Sequence, residues 1–535
     1  MLIDMLDELR VASDLLRLAL DRYLNACLAI KRSSDKRSPF ASESVHLEYL
    51  TSPLVVNEMA LLAEYEKKFR GSKVAILQYR NSLPDMVPIN GLPVDILIHV
   101  FQQLVQEEHR DFSTGRHAIV AKYPITLAHV CTHWRRIALQ SPSLWSCIAF
   151  SSFSGWNAES NNRRRLACVD FHSEHSRQAL MNILITESYA RTLRMTSNSA
   201  TPIDRFAGRI RSLEFRLDVM SIERIRCLIT KCLEASNETL RRFILHMHDI
   251  STDLSPWASV SGPANEIPMV DLPNDRLENV LYHITNLWLR GLYFNWESKV
   301  YHKLTTLRLD PSSSCTISEL QLINILGSSP QLQRLNIGLK ITRKDISPPP
   351  IRLPELEVLT GDTKLLQLVL PGSKMLSLNI SSTPIYIPYS NELDDARVKD
   401  FFSRANIARF HSHDFLKKPS DICRLFSLAP RIQALALSGT KPSGSLSDII
   451  TYSSLDALYL LPLCEMNRSL LRDMIDIWKI KKIVYWGWDL FYDSFNGPKN
   501  KKKLEEELSD LGTTLPELEF VPHSTSEGYP FGPFV

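Results

Sequence analysis

Leu2, Leu6, Leu9, Leu16, Leu20 and Tyr23 recur at steps of three, four and seven residues, the spacing that gathers side chains on one face of an α-helix. The pattern predicts an amphipathic helix over residues 1–30 with an apolar stripe that needs a partner. The following KRSSDKRSPFASES, Lys31 to Ser44, is rich in serine and charge and reads as a linker within residues 31–50. It holds a Ser38-Pro39 pair, a phosphorylation candidate set against a plain loop serine. A second helical segment occupies residues 51–88, with Val55, Met59, Leu62, Tyr65, Phe69, Leu77 and Tyr79 as buried positions and Gly71-Ser72 as a place to bend. Because no clean heptad is sustained, packing within the chain is expected ahead of a dimeric coiled coil.

From Gly91 to Phe150 the pattern changes. Leu92-Pro93 can open a helix, since the first helical position needs no amide donor. Ile96, Leu97, Ile98, Val100, Phe101, Leu104 and Val105 then spread over an arc too wide for a helix with one solvated face. Leu127, Val130, Cys131, Trp134, Ile137 and Ala138 follow at helical spacing, Ser141-Pro142 breaks the run, and Leu144-Trp145 closes it. Either the whole arc is internal core, or part of it is an apolar patch kept for a partner. Cys131 is expected to pack inside its helix.

Beyond the polar stretch Ser151 to Arg165, short L-x-x-L-x-L units alternate with helical or loop segments. Candidate strand centres are Leu193, Leu213, Phe243, Leu287, Leu307, Leu335, Leu359, Leu378, Leu435, Leu458, Ile483 and Leu518. The clearest pair is LGSSPQLQRLNI around Pro330 and SLAPRIQALAL around Pro430, where a helix ends, proline follows, and alternating apolar residues (Leu332, Leu335, Ile337; Ile432, Leu435, Leu437) form a strand. Pro354-Glu355-Leu356 and Pro516-Glu517-Leu518 repeat that signal in weaker form. Such a unit cannot bury its face alone, so repetition over residues 166–520 is expected, interrupted by a proline-bearing insertion at 251–274 and followed by a tail at 521–535. A non-repeating α/β domain is the alternative.

Composition adds limits. The chain has 535 residues, 44% hydrophobic and 23% charged, and a formal charge of +3, so no whole-molecule field points to nucleic acid. The Lys499 to Lys503 run is followed by Glu505-Glu506-Glu507 and reads as a solvated helix face. Nine cysteines show no C-x-x-C pair, and no secretory leader pattern opens the chain. An intracellular, cytoplasmic or nuclear setting is expected, and no membrane contact, because no run approaches the ~18 apolar residues of a spanning segment. The sequons at Asn237, Asn379 and Asn467 carry no meaning without secretion. No phosphate-binding loop, dinucleotide fingerprint or nucleophile elbow occurs. The close pairs His246/His248 and His411/His413 lack further ligands at metal spacing and are expected to be solvated or hydrogen-bonded. No catalytic residue, cofactor or metal is therefore assigned.

The order of residues from 89 to 150 resembles the F-box, and most of all the large fungal set of F-box-like proteins. The resemblance rests on Leu92-Pro93, Ile96-Leu97, Val100-Phe101, Leu104, Val130-Cys131, Trp134 and Leu144-Trp145, preceded by the helical ILQYRNSLPDMVPINGLP with its Tyr79-Arg80 pair. One departure is the stretch Gln106 to Pro124, with a turn-like Ser113-Thr114-Gly115, between helices that the compact F-box joins closely. LPNDRLENVL, Leu272 to Leu281, opens in the same way, but no V-C-x-x-W follows it. Likewise, the strand units resemble an irregular leucine-rich-repeat solenoid without its regular asparagine. Together these imply a mixed α/β fold: an N-terminal helical region with an F-box-like helical module, then the solenoid. The implied function is non-enzymatic. A Skp-type adaptor, and through it a cullin ubiquitin ligase, would bind Leu92, Pro93, Ile96, Leu97, Phe101, Leu104, Val130, Cys131, Trp134, Leu144 and Trp145. Within that set Leu92, Pro93 and Phe101 are expected to face outward, with Trp134 tying the helices together. An unknown protein substrate would bind the repeats. The rival readings are a repeat scaffold with a non-ligase partner and an enzyme with an unrecognised site.

Overall fold

Strands that alternate between a leucine and a polar residue bury one face and leave the other free to differ. The computed structural model describes residues 2–35, 44–83, 87–111, 123–150, 158–186, 202–217, 222–236, 238–247, 269–270, 275–310, 316–343, 348–381, 392–416, 418–439, 454–461, 464, 468–486 and 517–521. Leu193, Ser38-Pro39, Ser113 to Gly115, His248, Leu272-Pro273, most of the 251–274 insertion and the Lys499 to Lys503 run lie outside them. The chain divides into two units, Met1–Leu92 and Pro93–Val535.

The first unit is helical. Helix α1, Leu2–Asp35, and helix α2, Ser44–Ser82, both extend beyond their expected limits into the 31–50 segment. Helix α2 also passes through Gly71-Ser72 without a break, the Ser72 hydroxyl donating to the Lys68 carbonyl at 3.0 Å. Leu6, Leu9, Leu16 and Leu20 are all exposed along α1. The Tyr23 hydroxyl donates to Glu58 Oε2 at 2.9 Å, linking the two helices. That hydrogen bond is the main reason the Tyr23 phenol is raised to about 12.

In the second unit, fourteen strands among the described residues form one sheet in which strand order follows chain order, and every pairing is parallel. Parallel neighbours require a crossover for each return, and several of these crossovers are helices: Ala158–Ser176, Ile222–Ala235, Asp275–Leu281, Glu319–Gly327, Ala396–Arg404, Pro419–Leu428 and Arg468–Trp478. One ladder runs through the whole sheet. Ile148 pairs with Ile183, then Leu213, Phe243, Leu287, Leu307 and Leu335 follow in register. The ladder continues through Leu359, Leu378, Phe410, Leu435, Leu458, Ile483 and Leu518. From Ile148 to Ile483 no member is more than 3% exposed.

The local reasons are those of the sequence pattern. Ser318 caps the helix Glu319–Gly327, its hydroxyl accepting from the Gln321 amide; the helix ends before Pro330, and Leu332, Leu335 and Ile337 enter the core. The second joint repeats this with Pro419 in the first turn of its helix, Pro430 after its end, and Ile432, Leu435 and Leu437 buried. After Pro354, Leu356 is buried in the same manner. Leu287-Trp288-Leu289 forms a sheet strand, Asn286–Arg290. Three strands escaped the leucine pattern: Cys147–Phe150, Met181–Thr186 and Asn406–His413. The last has Phe410 in the ladder position and polar His411 and His413 beside it, and its pairing shifts register between Leu376 and Ser377.

The ladder separates core from surface sharply. Replacing Leu335, 1% exposed, by alanine should cost about 2–5 kcal/mol in chemical denaturation, whereas Arg334→Ala, one residue away and exposed, should stay within about 0.5 kcal/mol.

Candidate functional site

The apolar arc after Pro93 resolves into two populations. Helix α3, Val94–Asp111, begins with the Pro93 carbonyl accepting from the Ile96 and Leu97 amides at 3.0 and 3.1 Å. Pro93 therefore sits just ahead of the helix, where its missing amide costs nothing. Asp95 in the first turn suits the positive end of the helix dipole. One side of α3 is core: Leu97, Phe101 and Val105 pack with Leu127, Ala128, Ile137, Ala138, Leu144 and Trp145. On the other side Ile96 and Val100 are solvent-exposed, with Ile96 half open at 50%, and Val94 is exposed at the helix start.

Helix α4, Tyr123–Ala128, and helix α5, Thr132–Gln140, close over that core. Trp134 lies 4.8 Å from Phe101, ring centre to ring centre, and is itself half-buried. Cys131 is not inside a helix as expected: it is the extended N-cap of α5, its Sγ accepting from the Trp134 amide at 3.4 Å. A thiol can fill the role that serine usually holds, satisfying one of the amides left over at a helix start. Arg135 Nε donates to the Ala128 carbonyl at 2.9 Å, fixing the turn between the two helices. Val130, in that turn, projects apolar surface at 55% exposure.

A 3-10 turn, Pro142–Trp145, completes the module. Trp145 is fully buried, and its indole Nε1 donates to the Ala138 carbonyl at 2.7 Å, so the polar edge of the ring is satisfied. The Ser141 hydroxyl donates to Ile137 O at 2.7 Å, and Gln102 Nε2 reaches Ser143 Oγ at 2.8 Å from α3. Trp145 also meets helix α6, Ala158–Ser176, with Phe171 and His172 both at 5.1 Å. Burial lowers the His172 imidazole to about 4, a shift only partly opposed by the backbone of Trp145 and Cys147. The ring is neutral at physiological pH.

This placement corrects the expected division of labour. Phe101 is wholly buried, as are Leu97, Leu144 and Trp145, because the far turn of α3 needs a large side chain against Trp134 and the 3-10 turn. Leu104, Cys131 and Trp134 are intermediate. Of the residues singled out in the sequence, Ile96, Val130 and Pro93 are exposed on the second unit, and Leu92, 39% exposed, ends the first. Val100 belonged to the apolar arc but not to the expected adaptor-binding set, although its step of four residues from Ile96 was the available signal. A wide arc in sequence marks that two sides are apolar, but not which side is covered.

Outside the module, the His411 and His413 side chains share one hydroxyl partner. His411 Nε2 and His413 Nδ1 both reach Ser438 Oγ, at 3.0 and 2.9 Å, and burial lowers His411 to about 3. Among the described residues no three His, Cys, Asp or Glu side chains gather as a metal-binding group, and no disulfide joins the described cysteines. Burial pushes the Cys232 thiol up, away from nucleophilic thiolate. Among the described residues no helix is long and apolar enough to cross a membrane.

Residues 89–151 match the F-box-like family model, and this segment is an F-box-like domain. No curated protein matches the chain.

Two measurements test the geometry. Phe101→Ala should destabilise the fold by about 3–5 kcal/mol, while Ile96→Ala should leave the unfolding midpoint nearly unchanged. For His172 the folded pKa of about 4 lies below the ordinary value of 6.5. Its stabilising contribution is therefore complete above pH 6.5 and lost as pH falls toward 4, since the unfolded chain takes up the proton first; the loss should be of order 2–3 kcal/mol. His172→Phe should flatten denaturation midpoints across that window.

Proposed function

We propose that this chain is the substrate-recognition adaptor of an SCF-type cullin ubiquitin ligase. The observation that carries the reading is the F-box-like domain at 89–151 with part of its apolar surface left open: Ile96 and Val100 on one side of α3, and Val130 in the turn before α5. A helical module that buries Phe101 and Trp145 while exposing a row of branched aliphatics has a core of its own and a second apolar face available to a partner helix. A Skp-type adaptor binds there, with Pro93 just ahead of the same helix. Leu97, Phe101, Leu144 and Trp145 act by holding the module in shape.

The fourteen-stranded parallel sheet is the target-binding part, an irregular leucine-rich-repeat solenoid. Two features support this: strand order equal to chain order, and one leucine-dominated ladder repeated at each turn. In that architecture each unit contacts its neighbours and leaves the polar face of the strands as a long surface for recognition. The chain performs no chemistry. It raises the rate of ubiquitin transfer by converting a bimolecular encounter into a local one.

Capture experiments test the proposal. The parent chain should retain a Skp-type adaptor and, through it, a cullin, and Ile96→Asp with Val100→Asp should weaken adaptor capture by at least about tenfold without lowering the melting temperature. Adaptor captured without cullin would favour a non-ligase scaffold. A folded parent that captures neither would overturn the reading.

A further inference from the structure

Helix α1 keeps an apolar face that its own unit leaves open. At about 100° per residue, Met5, Leu9, Leu16, Leu20 and Leu24 fall within an arc of about 100°, and no charged residue of 2–30 enters it. Those five are 44–63% exposed. Helix α2 repeats the arrangement: Leu62, Tyr65, Phe69 and Ile76 step by three, four and seven residues and are 38–53% exposed. Tyr23, on the α1 stripe, meets Glu58, four residues before Leu62, in the hydrogen bond that links the two helices. Even beside that bond, Leu20 and Leu62 remain open to water. Among the described residues this unit supplies no third α-helix to close over the two stripes.

The charges along α1 indicate what fits there. Residues 2–14 carry four carboxylates and one arginine, whereas residues 15–32 carry four cations and one carboxylate. Arg17 and Asp14 pair across that boundary at 3.4 Å, an exposed contact within the helix that leaves the two halves opposite in net sign. Two copies of α1 running antiparallel bring the acidic half of each against the basic half of the other, while a parallel pair sets like against like. The area agrees. The nine side chains named on the two stripes, at about 80 Å² of open surface each, present about 700 Å², close to the ~800 Å² that each partner gives to a standard interface. A membrane surface fits less well, because the polar face of a helix lying on lipid is rich in Lys and Arg, and α1 holds six carboxylates against five cations.

From this arrangement we infer that the first unit is a self-association module: two copies of the chain join through their α1 and α2 stripes, α1 antiparallel to α1 of the second copy, in an isologous four-helix bundle. Under a two-fold axis every contact of residue i with residue j is matched by one of j with i, so a single helix carrying both signs is complementary to itself. Ser13 and Ser72 interrupt the leucine spacing, which breaks the repeat of a long coiled coil but is compatible with a bundle of helices a few turns long. The inference does not depend on what the F-box-like domain binds. Two joined chains carry two copies of every other binding surface, and a target with two matching sites is then held at a high effective concentration.

The test is sedimentation velocity of the full chain over about 0.1–50 μM, with circular dichroism to follow helix content. The parent should reach twice the monomer mass. Leu9→Asp with Leu16→Asp should raise the dimer dissociation constant at least about tenfold at unchanged helix content. Val11→Asp with Leu18→Asp, also exposed but on the far side of α1, should leave it within about twofold. Asp7→Lys with Glu8→Lys should weaken the dimer at least about threefold, and adding Lys31→Glu with Arg32→Glu should restore it. A parent that is monomeric throughout would overturn the inference, and its flotation with phosphatidylserine vesicles would then mark a membrane surface as the occupant. An unaffected Leu9 and Leu16 variant, equal weakening by the stripe and far-side pairs, or a charge reversal that leaves the dimer unchanged or strengthens it would overturn the inference as well. Adaptor capture by the parent is scored separately, so its failure bears on the ligase reading alone.

Discussion

The second unit depends on a single repeated contact: a parallel strand pair that brings one large apolar side chain directly over the next. From Ile148 to Ile483 that contact recurs without a polar interruption. Each member gains burial only when both neighbours are present, so the stability of one strand is shared with the strands beside it. Helices and turns between strands can then vary in length without disturbing the register, because the ladder, rather than the crossover, fixes where each strand begins. A shift of one residue would turn a buried leucine to the surface and bring its polar neighbour into the core.

The same alternation explains how a regular core supports an irregular surface. Residues on the opposite face are released from the packing requirement. There the chain places exposed arginines, the Trp288–Asp310 hydrogen bond and the His411–Ser438–His413 contacts. The two internally paired carboxylates, Glu214 and Asp310, show the cost that limits this freedom. Where a charge is screened from water by its neighbours, a partner accompanies it.

The F-box-like domain applies the opposite economy on a smaller scale. Its core is closed by two aromatics on different elements, Phe101 against Trp134, and Trp145 against α6. With the interior filled, the exposed aliphatics Ile96 and Val100 of α3 lie outside that core. Their exposure is thereby a surface property that can be altered without collapsing the module, the condition under which a docking face can be tested separately from stability.

Much of this was written in the chain. Eleven of the twelve strand centres marked by L-x-x-L-x-L spacing lie on the sheet ladder, because alternation reports burial directly, and proline after a helix reports where the strand begins. The F-box-like segment was legible from the order of its apolar and aromatic residues. Three strands were not: those with Ile148, Ile183 and Phe410 in the ladder position lay outside the units marked in the sequence. Nor could sequence settle which side of α3 is inside. Ile96 and Phe101 are both apolar, and only the approach of α5 and the 3-10 turn to the Phe101 side decides between them. Which exposed residues share one line across the strands was equally hidden. Arg242, Arg334 and Arg409 are distant in the chain and acquire their common line only through the pairing of strands between them. Periodicity along the chain determines which positions are buried; register across strands and contact between helices decide which of the remaining ones stand together.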